Sequence, residues 1–148
     1  MVHVVVRRRI AEVLCAALLA TPTACRREAS TSSAPSPEAV ARTEFTERIE
    51  NFFEHEPLVA GRPSAFLIHL TDLSDGSPVD KAEVILTVRG EPGGPGVETA
   101  AKAGRVTGIY VAHVTVPTAG RYTVEFRVKN AKLDERMVLD DFTTGGKP

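Results

Sequence analysis

The sequence predicts an all-β fold, an immunoglobulin-like β-sandwich of about seven antiparallel strands. Three observations point there. Tyr122, Val124, Phe126 and Val128 alternate with Arg121, Thr123, Glu125, Arg127 and Lys129, the period-two pattern of a half-buried strand. Similar runs recur at intervals of roughly ten residues, separated by Gly, Pro, Asn and Asp, with no sustained helical period. Gly120-Arg121-Tyr122 opens its strand after a Pro-containing turn. That is the setting of a tyrosine corner, in which a buried Tyr hydroxyl bonds back to the preceding turn.

The elements follow in order. Phe45, Ile49 and Phe53 suggest a first strand over residues 43–54, with a short amphipathic helix as the rival because Glu and Arg there are good helix formers. Pro57 and Gly61 shape the turn that follows. Phe66, Ile68 and Leu70 mark the next strand, closed by Ser74-Asp75-Gly76-Ser77-Pro78. Ala82, Val84, Leu86 and Val88 alternate with Glu83, Ile85, Thr87 and Arg89 to give another. Gly90 to Gly96 is a wide, glycine- and proline-rich loop. Tyr110, Ala112, Val114 and Val116 precede the turn at Pro117 and Gly120. Beyond the turn at Lys129-Asn130, Leu133, Met137 and Leu139 share one face of a C-terminal strand.

Length and composition bound the function. The chain has 148 residues, room for one domain. Its 18 Lys and Arg nearly cancel 19 Asp and Glu, which argues against a broad basic face for nucleic acid. Two Cys are too few for a disulfide-dense scaffold. No apolar run reaches the roughly 18 residues of a membrane-spanning helix.

The N-terminus reads as an address. Arg7, Arg8 and Arg9 precede an apolar stretch from Ile10 to Ala20, then Thr21-Pro22-Thr23-Ala24-Cys25. Basic cluster, apolar stretch and small residues form the pattern of an export signal over residues 1–24. Small residues ahead of a Cys resemble the lipobox of bacterial lipoproteins, with Cys25 as the acylated residue; an ordinary signal-peptidase site after Ala24 is the alternative. The expected location is the periplasm, anchored to a membrane through the lipid, with the outer membrane favoured because Arg26 and not Asp follows the Cys. Residues 25–42, rich in Ser, Pro and Ala, read as a flexible tether. The sandwich is expected over residues 43–144, with a short disordered tail at 145–148.

Chemistry-bearing motifs are few. No G-x-S-x-G elbow and no Lys-Ser/Thr after a glycine-rich loop is present, and the chain reads as non-enzymatic. Histidines are the remaining candidates. His55 stands between Glu54 and Glu56 at a strand end; His69 and His113 sit in strands, opposite the main apolar rows. Were their strands neighbours, His69 and His113 could lie side by side as half of a divalent-metal site, with a carboxylate completing it. Otherwise they are ordinary strand residues, and no resident cofactor is expected. The acidic run Glu44, Glu47, Glu50, Glu54 and Glu56 reads as a solvated face.

Two segments carry a resemblance. Phe52 to Val79, FFEHEPLVAGRPSAFLIHLTDLSDGSPV, resembles the N-terminal segment of periplasmic adaptor (membrane fusion) subunits of RND-type heavy-metal efflux systems. Pro57, Leu58, Val59, Gly61, Phe66, His69, Thr71, Leu73, Pro78 and Val79 fall on that pattern. Ala119 to Val128, AGRYTVEFRV, is similar to the strand that closes the adaptor sandwich. The resemblance spans residues 43–144. It implies an accessory binding module that docks to an efflux adaptor or pump component through an exposed sheet edge or face. Adaptors continue into lipoyl-like, helical-hairpin and β-barrel parts, whereas this chain ends at Pro148. A stand-alone lipoprotein form of the sandwich, or a piece of an adaptor, is therefore implied. The metal-binding methionines of the copper and silver branch have no counterpart here. The rival readings are a small periplasmic metal-binding protein using His55, His69 or His113, and a structural lipoprotein of the cell envelope.

Overall fold

The computed structural model describes residues 38–144. The signal-like segment, Cys25, the tether up to residue 37 and the tail at 145–148 lie outside the described residues. Nine strands form two antiparallel sheets: β1 (Val40–Phe45), β2 (Ile49–His55), β3 (Pro63–Asp72), β4 (Glu83–Gly90), β5 (Gly96–Ala100), β6 (Lys102–Ala103), β7 (Ile109–Thr115), β8 (Arg121–Lys129) and β9 (Asp134–Thr143). One sheet has five strands in the order β1-β2-β3-β7-β6 and the other four in the order β5-β4-β8-β9. The fold is the expected all-β sandwich.

The inward rows of both sheets supply the core. Phe53 of β2 meets Phe126 of β8 across the sandwich, ring centroids 4.9 Å apart, and Phe66 of β3 completes the group. All three are fully buried, with Ile68, Leu86, Val88 and Val124 around them. Each such side chain removes apolar area from water at roughly 25 cal/mol per Å².

The two long sides of the sandwich close differently. On one side the chain itself crosses: β5 pairs with β4 in one sheet, and beyond Ala101 β6 pairs with β7 in the other. The Ala101 N–H donates to Val84 O at 2.8 Å at the crossing. On the other side β1 and β9 face each other as the edge strands of different sheets. In β9, Asp140 and Asp141 together stand opposite Thr123 alone, because Tyr122 pairs with Phe142 and Val124 with Leu139. This bulge resets the alternation, so that Leu139 and Phe142 both turn inward.

The first strand departs from expectation. Residues 43–54 are neither one strand nor a helix; they belong to a hairpin of β1 and β2, and β1 starts at Val40, inside the stretch read as tether. The turn contains no Gly, Pro or Asn. The Thr46 hydroxyl makes it instead, accepting from the Arg48 and Ile49 N–H groups at 3.1 Å. The inward positions of β1 are Arg42 and Glu44, so the strand has no apolar row to announce it. The split pair β5 and β6 also lies beyond the sequence reading, and with β1 it raises the six strands placed from the sequence to nine.

Turns hold the ends. Gly61 adopts φ +74° and its N–H donates to Val116 O at 2.8 Å, while Pro57 O accepts from the Ser64 hydroxyl at 3.0 Å. The Tyr122 hydroxyl donates to Thr118 O at 2.6 Å, four residues upstream. β1, β3, β5 and β8 all run the same way, so the first and last described strands begin and finish at one end of the sandwich. The turns at 46–48, 73–82, 104–108 and 130–133 cluster at the other.

Candidate docking face

The two outer faces differ in chemistry. On the four-stranded sheet, outward positions are mainly ionic, with Glu83, Arg89, Arg121, Glu125, Arg127 and Lys129 interspersed with Ile85, Thr87, Thr123 and Val138. Arg136 grips Glu125 through two hydrogen bonds of 2.8 Å, and Asp134 pairs with Lys129 at 3.3 Å and Arg127 at 3.6 Å. The Arg136 hydrogen bonds hold the Glu125 carboxyl below its ordinary range. Such a face is at home in water.

The outer face of the five-stranded sheet is apolar at its centre. Phe52 on β2, Leu67 on β3, and Ile109 and Val111 on β7 are half-buried and turn away from the core. The register lines up Phe52, His69 and Ile109 in one row and Glu54, Leu67 and Val111 in the next. His69 is therefore ringed by apolar side chains. The Phe52 ring meets its imidazole edge-on, centroids 5.3 Å apart at 73°. His69 Nε2 is buried and has no hydrogen-bond partner. A buried, unsatisfied polar atom costs about 1–3 kcal/mol.

The histidines do not converge. β3 and β7 are neighbours, but His69 lies opposite Ile109 and His113 opposite Ala65. Four residues of offset along the strands separate the two rings by about 13 Å at the usual rise. His113 is exposed, and its backbone carbonyl accepts from the Thr99 hydroxyl at 3.3 Å. His55 points the other way, into the sandwich, only 8% exposed. It stacks on Phe66 at 5.1 Å and leans on Phe142 at 5.1 Å. Its Nδ1 bonds Glu56 O at 2.9 Å; in the neutral ring this places the proton on Nδ1 and the lone pair on Nε2. Burial pushes its pKa down. Glu54, His55 and Glu56 line one shallow depression of about 160 Å³, but Glu56 Oε2 is taken by the Ala65 N–H at 3.1 Å. Among the described residues no group of three His, Cys, Asp or Glu is placed to hold a metal ion.

A larger cleft, about 370 Å³, opens at the end of the sandwich distal to the start of β1 and the end of β9, between residues 72–81 and 130–133. Asn130 ties its walls together: its amide donates to Asp80 O at 3.1 Å and its carbonyl oxygen accepts from the Lys132 and Leu133 N–H groups. Asp72 faces it but is occupied by the Ser74 N–H and hydroxyl, which hold its carboxyl below the ordinary range.

The apolar outer face escapes the sequence reading, which follows one apolar row per strand. The signal is present all the same. Phe52-Phe53, Ala65 to Leu70 and Ile109 to Ala112 are apolar at both parities, the mark of a strand covered on both faces.

The family model described as YtkA-like matches residues 46–127, more than half of the chain. The match runs from the turn before β2 into β8, and leaves β1 and β9 outside it. No curated protein and no solved structure gives a significant match.

Proposed function

The chain belongs to the YtkA-like family, and on that premise we propose that it is a non-enzymatic, exported binding module that docks a protein partner on the outer face of its five-stranded sheet. The observation that carries this reading is the ring of Phe52, Leu67, Ile109 and Val111 around His69. Three adjacent strands present it as one surface, and the opposite face of the sandwich is mainly ionic. A flat apolar face flanked by Glu50, Glu54 and Thr71 has the layout of an interface, apolar at the centre and polar at the rim.

The partner is an adaptor or pump component of an RND-type, heavy-metal efflux system. The likeness of residues 52–79 and 119–128 to the adaptor sandwich supports this choice. The module is periplasmic, held to the outer membrane by a lipid on Cys25. β1 begins and β9 finishes at one end of the sandwich, away from the centres of both outer faces. Zinc or copper binding by His55, His69 or His113 is supported less well, since the fold points one inward and spaces the other two apart.

Affinity co-purification with the adaptor tests the reading. Leu67→Glu places a charge at the centre of the face and should cut recovery of the adaptor at least tenfold. Thr87→Glu on the opposite face should leave it unchanged. Equal recovery with both variants contradicts the assignment.

A further inference from the structure

We propose that two copies of this chain pair through the free edge of β1, joining their five-stranded sheets into one continuous sheet about a two-fold axis at Thr43. The hydrogen-bond phase of the hairpin fixes which groups the edge offers. The Thr46 N–H donates to Ile49 O at 2.9 Å. In an antiparallel ladder alternate residues turn their N–H and C=O toward the partner strand. Glu44, Arg42 and Val40, in register with Asn51, Phe53 and His55, therefore spend their backbone groups on β2. Ala41, Thr43 and Phe45 turn theirs outward, where no strand among the described residues pairs with them.

That edge is self-complementary in one register. With Thr43 opposite Thr43 of the second copy, Ala41 falls opposite Phe45 and Arg42 opposite Glu44, and the same pairs repeat across the axis. The three outward N–H groups and three outward carbonyls of each strand find partners in the other. Phe45, 63% exposed, packs over the small Ala41. Each Arg42 meets a carboxylate of the opposite sign across the ladder, an arrangement that favours cross-strand pairing. Shifting the register by two residues places Arg42 opposite Arg42 or Glu44 opposite Glu44, which disfavours it. β1 has no Pro, no Lys and no bulge to block such pairing, and its inward charges Arg42 and Glu44 are neutralised by their pairing with each other and with Asp141. An isologous contact of this kind closes at two copies and does not propagate.

The test uses the full chain with Cys15→Ser and Cys25→Ser, so that an introduced thiol is the only one. Facing residues of a hydrogen-bonded antiparallel pair have Cα atoms about 5.5 Å apart, within disulfide range. Thr43→Cys should therefore cross-link to a dimer under mild oxidation or with a short thiol-bridging reagent. Ala41→Cys, about 13 Å from its own copy in this register, should not. Thr43→Pro removes an outward N–H that β2 does not use, and should keep the thermal unfolding profile of the parent while abolishing the dimer seen at high concentration by sedimentation. Phe45→Lys is the second variant and should weaken the dimer at least tenfold. A monomer at every concentration, equal cross-linking at residues 41 and 43, or a Thr43→Pro chain that still dimerises would each overturn the proposal. Cross-linking of Thr43→Cys to a different protein alone would assign the edge to another partner and also overturn it.

Discussion

Arg42 and Asp141 stand 99 residues apart in the chain and meet at 2.7 Å, Nη1 donating to Oδ1. The contact joins the edge strand of one sheet to the edge strand of the other, on the side of the sandwich that no covalent crossing closes. The bulge at Asp140-Asp141 accompanies Asp141 at this edge, while Phe142 turns inward beneath it. The Arg42 guanidinium lies over the Phe142 ring, 5.2 Å from its centroid, and also donates to Glu44 Oε1 at 2.6 Å. The hydrogen bond from Arg42 holds the Asp141 carboxyl below its ordinary range. Both strands lie outside the segment matched by the family model.

Arg42→Ala should loosen the seam. Exposed ion pairs contribute about 0–1 kcal/mol, and the cation over the Phe142 ring adds about 0.5–1 kcal/mol. A loss of about 1–2 kcal/mol is expected by urea denaturation, with faster amide exchange in β1 and β9 than elsewhere. Uniform acceleration across both sheets would show that the seam is not a local latch.

Two glycines separate space from backbone conformation. Gly108 has φ +81°, and a Cβ there would lie 2.6 Å from Pro78 Cβ and 3.0 Å from Leu70 O. Gly61 has φ +74° with nothing within 4 Å of its would-be Cβ. Gly61→Ala should cost about 1–2 kcal/mol for the left-handed conformation alone. Gly108→Ala adds overpacking of about 1–3 kcal/mol and should be the more damaging in a thermal melt. Equal melting temperatures would contradict this ordering.

His55 gives the protein an acid sensitivity with a defined sign. Burial lowers its pKa below the ordinary 6.5, with the Arg42 charge acting in the same direction and the bond to Glu56 O opposing it. The unfolded chain therefore takes up the proton first as pH falls. Stability is unaffected by this group above about pH 6.5 and declines below it until the folded-state pKa is passed. His55→Phe, which keeps an aromatic ring against Phe66 and Phe142, should flatten the dependence just below about pH 6.5. The carboxyls lowered by hydrogen bonds, Asp72, Asp75 and Asp141, act at lower pH, from the carboxylate range downward. An unchanged slope in His55→Phe would remove the assignment.

Local patterns carried most of the fold into view. The alternation over Arg121–Lys129 and the Tyr122 corner depend on residues a few positions apart, and both are legible without a partner strand. β1 is not legible, because its inward positions Arg42 and Glu44 are satisfied by the seam, a contact whose other half lies near the C-terminus. The histidine geometry depends on the β3–β7 register, which sets His69 against Ile109. No local spacing encodes that register. Asn51 is fully buried, its side-chain amide donates to Met137 Sδ at 3.8 Å, and its Oδ1 has no partner among the described residues. The apolar outer face is hidden for a simpler reason: an outward Leu67 or Val111 looks in sequence like one more core residue.

Site-specific photocross-linking in the intact cell tests the central claim most directly. A photoreactive residue at Leu67 samples the apolar face, and one at Thr87 samples the ionic face of the other sheet. The account predicts a covalent product with an efflux adaptor or pump component from Leu67 and none from Thr87. Adaptor products from Thr87, with Leu67 giving none, would place the interface on the other sheet and contradict it.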